Sequence, residues 1–226
     1  MEKDKQRKWV HGLFWVVANT FSWPLSLWTG MAAGWLAWEA YDVMYIPFLA
    51  DESNRMLITF ILLGVGWGVA IGFLQQILLK QRFNLDRRSW IVATCLGMAL
   101  YLSFSQVELI AYDIRELQPF SRGLGILASF VSSALLGTAQ WVILRHTVKR
   151  AGLWILATVI ALSVSPMVLN LFHFGPAWEN GRNYLVYSLF ASLRTGFMYG
   201  LITWIAVSMI SPPSAKTLEN QPGLVN

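Results

Sequence analysis

MLITFILLGVGWGVAIGFLQQILL, residues 56–79, runs for 24 positions without an Asp, Glu, Lys or Arg. The hydrocarbon core of a bilayer takes about 20 predominantly apolar residues per helical crossing, so this stretch is long enough to span one. Five others resemble it: Trp9 to Trp38, Ser89 to Val107, Gly123 to Leu144, Ala151 to Trp178, and Asn183 to Ile210, the last interrupted only by Arg194. A membrane β-barrel would instead show segments of about ten residues with alternating polarity. The 226 residues are 56% hydrophobic and 13% charged, with a mean hydropathy of +0.50, outside the usual range of water-soluble domains. The predicted fold class is all-α, a six-helix transmembrane bundle with helices at about 11–38, 56–79, 89–110, 123–145, 152–174 and 184–210. The tail 211–226, carrying Pro212, Pro213 and Pro222, reads as a disordered cytoplasmic end.

Charge gives the orientation. If alternate connections lie on alternate sides, one side holds 12 of the 17 basic residues: Lys3, Lys5, Arg7, Lys8, Lys80, Arg82, Arg87, Arg88, Arg145, Lys149, Arg150 and Lys216. The other holds four, Arg55, Arg115, Arg122 and Arg182, and collects acidic residues such as Glu39, Asp42, Asp51, Glu108 and Glu179. Basic loops stay on the cytoplasmic face, so both termini are expected inside. The net charge of +5 is then accounted for by anionic lipid headgroups rather than nucleic acid. The basic start followed by an apolar run is expected to be an uncleaved first helix that doubles as a targeting signal, because the run is too long for a cleaved leader. The single cysteine, Cys95, excludes an intrachain disulfide or a cysteine metal cluster.

A search for internal similarity organises the rest. The first, third and fifth spans open alike, with Trp15-Val-Val-Ala-Asn, Trp90-Ile-Val-Ala-Thr and Trp154-Ile-Leu-Ala-Thr. These tryptophans are expected at the cytoplasmic interface with their N–H groups wet. The other three spans share small residues four apart, which stay on one helix face: Gly64, Gly68, Gly72; Ser129, Ser133, Gly137; and Ser188, Ser192, Gly196. Three residues after each ladder come Gln75, Gln140 and Tyr199, polar groups able to hydrogen-bond a neighbouring helix. Small steps on the odd spans, Ala18 with Ser22, Ala93 with Gly97 and Ala157 with Ala161, offer a matching face. The expectation is three antiparallel hairpins, each glued internally along its ladder and related by a pseudo-threefold axis along the membrane normal.

The run Gln140-Trp141-Val-Ile-Leu144-Arg145 followed by Trp154-Ile-Leu-Ala157, with Gln75-Gln76-Ile-Leu-Leu79-Lys80 and Trp90-Ile-Val-Ala93 as a divergent copy, resembles a group of uncharacterised bacterial membrane proteins of cyanobacterial type. Those proteins repeat Gln-Trp-x-x-Leu-Arg and then Trp-x-x-Ala. The resemblance implies a bacterial multi-pass protein of the inner (plasma) or thylakoid membrane and supplies no activity. Mitochondrial carriers share the count of three hairpins, but their proline, acidic and basic signature has no counterpart at Pro24 or Pro166.

Arg194 stands out because a charge near the centre of a spanning helix costs about 2.5–3.5 kcal/mol on insertion scales. An ion pair with Glu108, or else with Glu39, would offset that cost; a functional role would be to bind an anionic solute or lipid headgroup in a cavity. His11, His146 and His173 offer no pair of ligands within one hairpin, and no metal site is expected. Gln75, Gln76 and Gln140 could ligate a pigment magnesium, although interhelical hydrogen bonding is the commoner use, so no cofactor is predicted and pigment or lipid stays possible. There is no phosphate-binding loop, nucleophile elbow or His-Glu-x-x-His, and the expectation is not an enzyme. Two readings follow: a non-catalytic accessory, assembly or scaffold subunit packing against other membrane-protein subunits, or a small-solute or lipid transporter with Arg194 in a midplane anion site. A polar cavity at Arg194 would favour the second, and a centre filled by side chains the first.

Overall fold

The computed structural model describes residues 2–44, 52–83, 85–104, 106–171 and 184–210. Among them the chain is all-α, with α1 (Glu2–Met44), α2 (Glu52–Phe83), α3 (Arg87–Phe104), α4 (Val107–Asp113), α5 (Ser121–Leu144), α6 (Gly152–Leu171) and α7 (Tyr184–Met209), plus a 3-10 turn at Gln118–Phe120. Three stretches of described helix are long and apolar enough to cross a membrane: Asn54–Lys80, Gln118–Leu144 and Ser188–Met209. The apolar stretch of α6 among described residues, Gly152–Ser163, is shorter. The expected tail 211–226, and His173 with the 172–183 connection, lie outside the described residues.

Two elements depart from their predicted limits. α1 has 43 residues, about 65 Å at 1.5 Å per residue, roughly twice the thickness of a hydrocarbon core. The third apolar stretch, expected to run to residue 110, instead stops at Phe104 and is followed by the short α4. Ser103 lies at that stop and turns its hydroxyl back onto the Ala99 carbonyl at 2.8 Å, while its own carbonyl accepts the Gln106 N–H in a tight turn. Serine offers the backbone such local alternatives and so weakens a helix where it clusters.

Neighbours follow chain order around a closed ring. α1 packs on α2, α2 on α3, α3 on α5, α5 on α6, α6 on α7, and α7 returns to α1; α4 lies against α5. One end of this ring holds a single apolar cluster containing Trp15, Leu79, Phe83, Leu85, Trp90, Leu144, Val148, Ala151, Trp154, Val207 and Ile210. Because that cluster includes residues beside both the 83–87 and 145–151 connections and the last residue after α7, these segments share one end of the molecule. Lys80, Arg87, Arg88, Arg145, Lys149 and Arg150 are exposed there. A second cluster, further along the axis, is built from Trp23, Ile71, Met98, Leu136, Ala161, Leu162 and Tyr199.

The ring closes through small residues, along seams that differ from the expected ones. A Cβ on Gly68 would collide with the Cα of Cys95, and one on Gly64 with the Cα of Ala99, so these ladder glycines of α2 face α3 rather than the hairpin partner α1. Gly137 of α5 likewise abuts α6, where an added Cβ would lie 3.0 Å from Ile155 Cα, and Gly196 of α7 abuts α1, where one would lie 2.6 Å from the Asn19 carbonyl oxygen. Small residues let helix backbones approach closely where no hydrophobic drive acts between helices, and here they do so between successive hairpins. α2 meets α1 through Gly66 instead, whose Cβ would lie 2.9 Å from the Thr29 carbonyl oxygen.

Candidate functional site

The feature with chemical content is a polar layer buried between the two apolar clusters. Trp15, Trp90 and Trp154 are 0% exposed. Their rings meet at the axis, Trp15 with Trp154 at 6.0 Å and Trp90 with Trp154 at 5.7 Å, both edge to face. The expected wet interfacial belt is therefore incorrect for these three. Each comes from a helix that presents small residues to its neighbours, which frees the inward position for the largest side chain, and edge-to-face packing suits three rings meeting at an axis.

Burying an indole N–H demands an acceptor, and the next turn of helix supplies a set of them. Asn19, Thr94 and Thr158 each lie four residues past one of the tryptophans and are buried, as are Gln75, Gln76, Gln140 and Thr203. Gln140 links three helices: its Nε2 donates to Thr94 Oγ1 at 3.0 Å, and its Oε1 accepts from Trp154 Nε1 at 2.7 Å. Gln75 Nε2 donates to Asn19 Oδ1 at 2.9 Å. Trp15 Nε1 donates to Thr203 Oγ1 at 3.0 Å. Asn19 and Thr94 complete the layer by donating to the carbonyls of Trp15 and Trp90, each at 2.9 Å.

These contacts correct the register predicted for α7. Gly68 approaches the residues four and five past Trp90, and Gly196 approaches those four and five past Trp15. Gly72 meets Ile91 and Thr94, and Gly200 meets Val16 and Asn19. The ladder of α7 is thus Ser192, Gly196 and Gly200, one turn later than Ser188, Ser192 and Gly196, and Thr203 takes the place of Gln75 and Gln140. Tyr199 stands instead where α2 and α5 carry Ile71 and Leu136, and all three belong to the second apolar cluster. A sequence signal for this register existed: Thr203-Trp204 matches Gln140-Trp141.

Arg194 falls off the axis. Gly200 sits against Val16 and Gly196 against Thr20, so Arg194 is level with about residue 22 of α1, and Glu39 lies about 26 Å further along that helix. That separation rules out the Arg194 to Glu39 ion pair. Position 194 is also turned about 200° from the Gly196 face and about 140° from the buried Tyr199. The half-buried Arg194 is consequently carried on a face of α7 turned from both α1 and the centre. Glu108 is carried by α4, not by the third long helix, and its side chain lies outside the described residues.

The described residues contain no group of three or more His, Cys, Asp or Glu placed to hold a metal ion. His146 lies at the basic end, where Arg145 Nε donates to its Nε2 at 3.1 Å and the same guanidinium stacks 5.2 Å from the Trp141 ring. No known protein family, curated protein or solved structure matches this chain.

Proposed function

We propose that this chain is a six-span membrane scaffold, an accessory or assembly subunit with no catalytic role, built from three repeated hairpins with both ends in the cytoplasm. The observation that carries the reading is the inverted distribution of polarity. Side chains facing outward include Phe21, Leu96 and Leu127, at 63%, 60% and 60% exposure, whereas Asn19, Gln75, Thr94, Gln140 and Thr203 are sealed inside. Apolar outer faces of this extent suit hydrocarbon as the surrounding medium. The inner hydrogen bonds and close glycine contacts are the kinds of interaction that hold helices together when no hydrophobic drive acts between them.

Orientation follows from the exposed cations at the shared end of α2, α3, α5, α6 and α7, by the retention of basic loops in the cytoplasm. The scaffold reading takes support from an axis occupied by side chains: three tryptophans in one layer and Trp23, Met98 and Leu162 in another. The transporter reading loses its main support because Arg194 turns away from that axis. The sequence resemblance points to a bacterial inner or thylakoid membrane. The partners of this reading are the bilayer and other membrane-protein subunits.

Three experiments test it. Extraction in mild detergent followed by mass spectrometry is expected to return a stoichiometric membrane partner, and reconstituted vesicles carrying the chain are expected to show no solute flux above empty ones. Single cysteines placed at Lys80 and Lys149 in a Cys95→Ser background should react from the same side of the membrane. Labelling from opposite sides would overturn the topology, and specific flux would overturn the scaffold.

A further inference from the structure

The three seams between hairpins use corresponding atoms for the tryptophan link, and in one of them protein atoms do not make that link; Thr158 Oγ1, facing Gly137 in the α5/α6 seam, is also without a partner, but the tryptophan link there is made. In the α5/α6 seam, Trp154 Nε1 donates directly to Gln140 Oε1 at 2.7 Å. In the α7/α1 seam, Trp15 Nε1 donates directly to Thr203 Oγ1 at 3.0 Å. The corresponding atoms of the α2/α3 seam are Trp90 Nε1 and Gln75 Oε1, and neither has a hydrogen-bond partner. Their residues are 0% and 1% exposed. Gln76, the next residue and 2% exposed, leaves its Nε2 without a partner as well.

The register of the two helices brings the three residues to one level of the α2/α3 seam. Gly72, one turn before Gln75 and Gln76 on α2, abuts Ile91 and Thr94 of α3, so the two glutamines arrive beside Trp90 as the helices run past each other. Gln75 is held on its other side by the bond to Asn19, which fixes its amide with the oxygen left over. A buried polar group left unpaired costs about 1–3 kcal/mol, and three in one seam are a strong demand for a partner. The demand has a definite chemistry: two N–H donors and one carbonyl oxygen call for a guest with two acceptor sites and at least one O–H or N–H donor. A buried water, which typically makes about three hydrogen bonds, has that valence in the smallest volume.

We propose that the α2/α3 seam is a binding site for a single resident water molecule, which accepts from Trp90 Nε1–H and Gln76 Nε2–H and donates to Gln75 Oε1. Protein atoms make the link in two seams and solvent makes it in the third. The difference traces to side chains: Gln76 occupies the position held by Trp141 in α5 and Trp204 in α7, and exchanging a large ring for an amide adds a donor at that point while removing bulk.

The test uses the full chain, labelled with 15N-tryptophan in lipid nanodiscs, and reads magnetisation transfer from water to each indole proton. The Trp90 indole is expected to show a cross-peak to a long-lived water, absent for Trp15 and Trp154, with assignment by Trp90→Phe or, should that variant not fold, by triple-resonance linkage through Ile91. Gln76→Leu removes one donor and should weaken the cross-peak severalfold. A high-resolution density map should place one feature within hydrogen-bond distance of all three atoms. Absence of the Trp90 cross-peak, equal cross-peaks from all three indoles, or a direct Trp90 to Gln75 bond in the map would each overturn the proposal.

Discussion

The α2/α3 and α5/α6 seams perform the same task with different chemistry. Along α2 the ladder is Gly64, Gly68 and Gly72, and in each case a neighbouring α3 backbone or Cβ atom occupies the space where a side chain would begin. Along α5 the corresponding residues are Ser129, Ser133 and Gly137. Ser133 folds its hydroxyl onto its own helix, donating to the Ser129 carbonyl at 2.6 Å. The serine seam gives up some closeness and gains the direct Trp154 to Gln140 bond; the glycine seam keeps closeness and lacks that bond. Helix association in an apolar medium can thus be met by van der Waals contact between backbones or by side-chain hydrogen bonds.

The sharpest way to break this comparison is to enlarge Gly68. A Cβ there overlaps Cys95 Cα and lies 2.7 Å from Cys95 N, and these are backbone atoms that can retreat only if the helices part. Gly68→Ala is expected to destabilise by about 1–3 kcal/mol, in the range of overpacked cores, and Gly68→Leu to prevent assembly of the native ring. At the corresponding place in α5, Ser133→Ala should cost well under 1 kcal/mol, because only a local hydroxyl bond is lost. Reversible unfolding in mixed micelles measures all three, and equal costs at positions 68 and 133 would erase the distinction between the seams.

Removing a hydrogen-bond linker should destabilise the seams that rely on one. Gln140→Leu strands the buried N–H of Trp154, with an expected cost of about 2 kcal/mol. Thr203→Val strands Trp15 Nε1 in the α7/α1 seam and should cost a similar amount. The same unfolding assay sharpens the comparison: if Gln140→Leu is neutral, the indole bond contributes nothing to that seam.

What the sequence made legible, and what it hid, divides along physical lines. Long uncharged runs located the long helices to within a few residues in α2, α5 and α7, since each residue in such a run adds to the same signal. Spacing of four identified the small faces, yet could not say which neighbour they meet, because helix period fixes a face and only the closed ring fixes its partner. Gln75 and Gln140 were recognisable as interhelical polar groups. Tyr199 follows Gly196 at the spacing that separates Gln75 and Gln140 from their ladders, but Gly200 is also small and extends the ladder by one turn, so Thr203 takes that place. The tryptophans are ambiguous for a related reason: an indole with a polar tip suits a headgroup layer and a buried Gln or Thr acceptor equally well. Arg194 drew attention by its charge, but charge alone carries no direction, and only the contacts of Gly196 and Gly200 showed it turned from the axis.

A smaller effect is expected where the α5/α6 connection turns. Arg150 has φ 61°, the left-handed region, in an exposed turn whose carbonyl accepts the Leu153 N–H at 3.0 Å. For an L-residue this conformation costs about 1 kcal/mol relative to glycine. Arg150→Gly should therefore stabilise the chain by up to about 1 kcal/mol, less the extra freedom glycine has when unfolded. No corresponding relief is expected from a glycine at Asp86 in the α2/α3 connection, where no described residue has positive φ.

The smallest effect separates the two connections by pH. Asp86 is exposed and caps α3: its Oδ2 accepts the Ser89 N–H at 2.8 Å. The Ser89 side chain and then its backbone N–H hold the Asp86 carboxyl below its ordinary pKa. A depressed folded-state pKa means that the capping contribution is fully present above the ordinary carboxylate range and fades as pH falls through the lowered value. Amide exchange at Ser89 and Trp90, corrected for intrinsic rates, should show protection that declines on acidification from about pH 6 to about pH 3, across the carboxylate range. In Asp86→Ala the protection should be lower at the upper pH and should not change with acid. Amides at the start of α6, where no acidic residue stands at the corresponding position, should show no such decline in either protein. A decline of equal size there would assign the effect to the acidified membrane surface rather than to the cap.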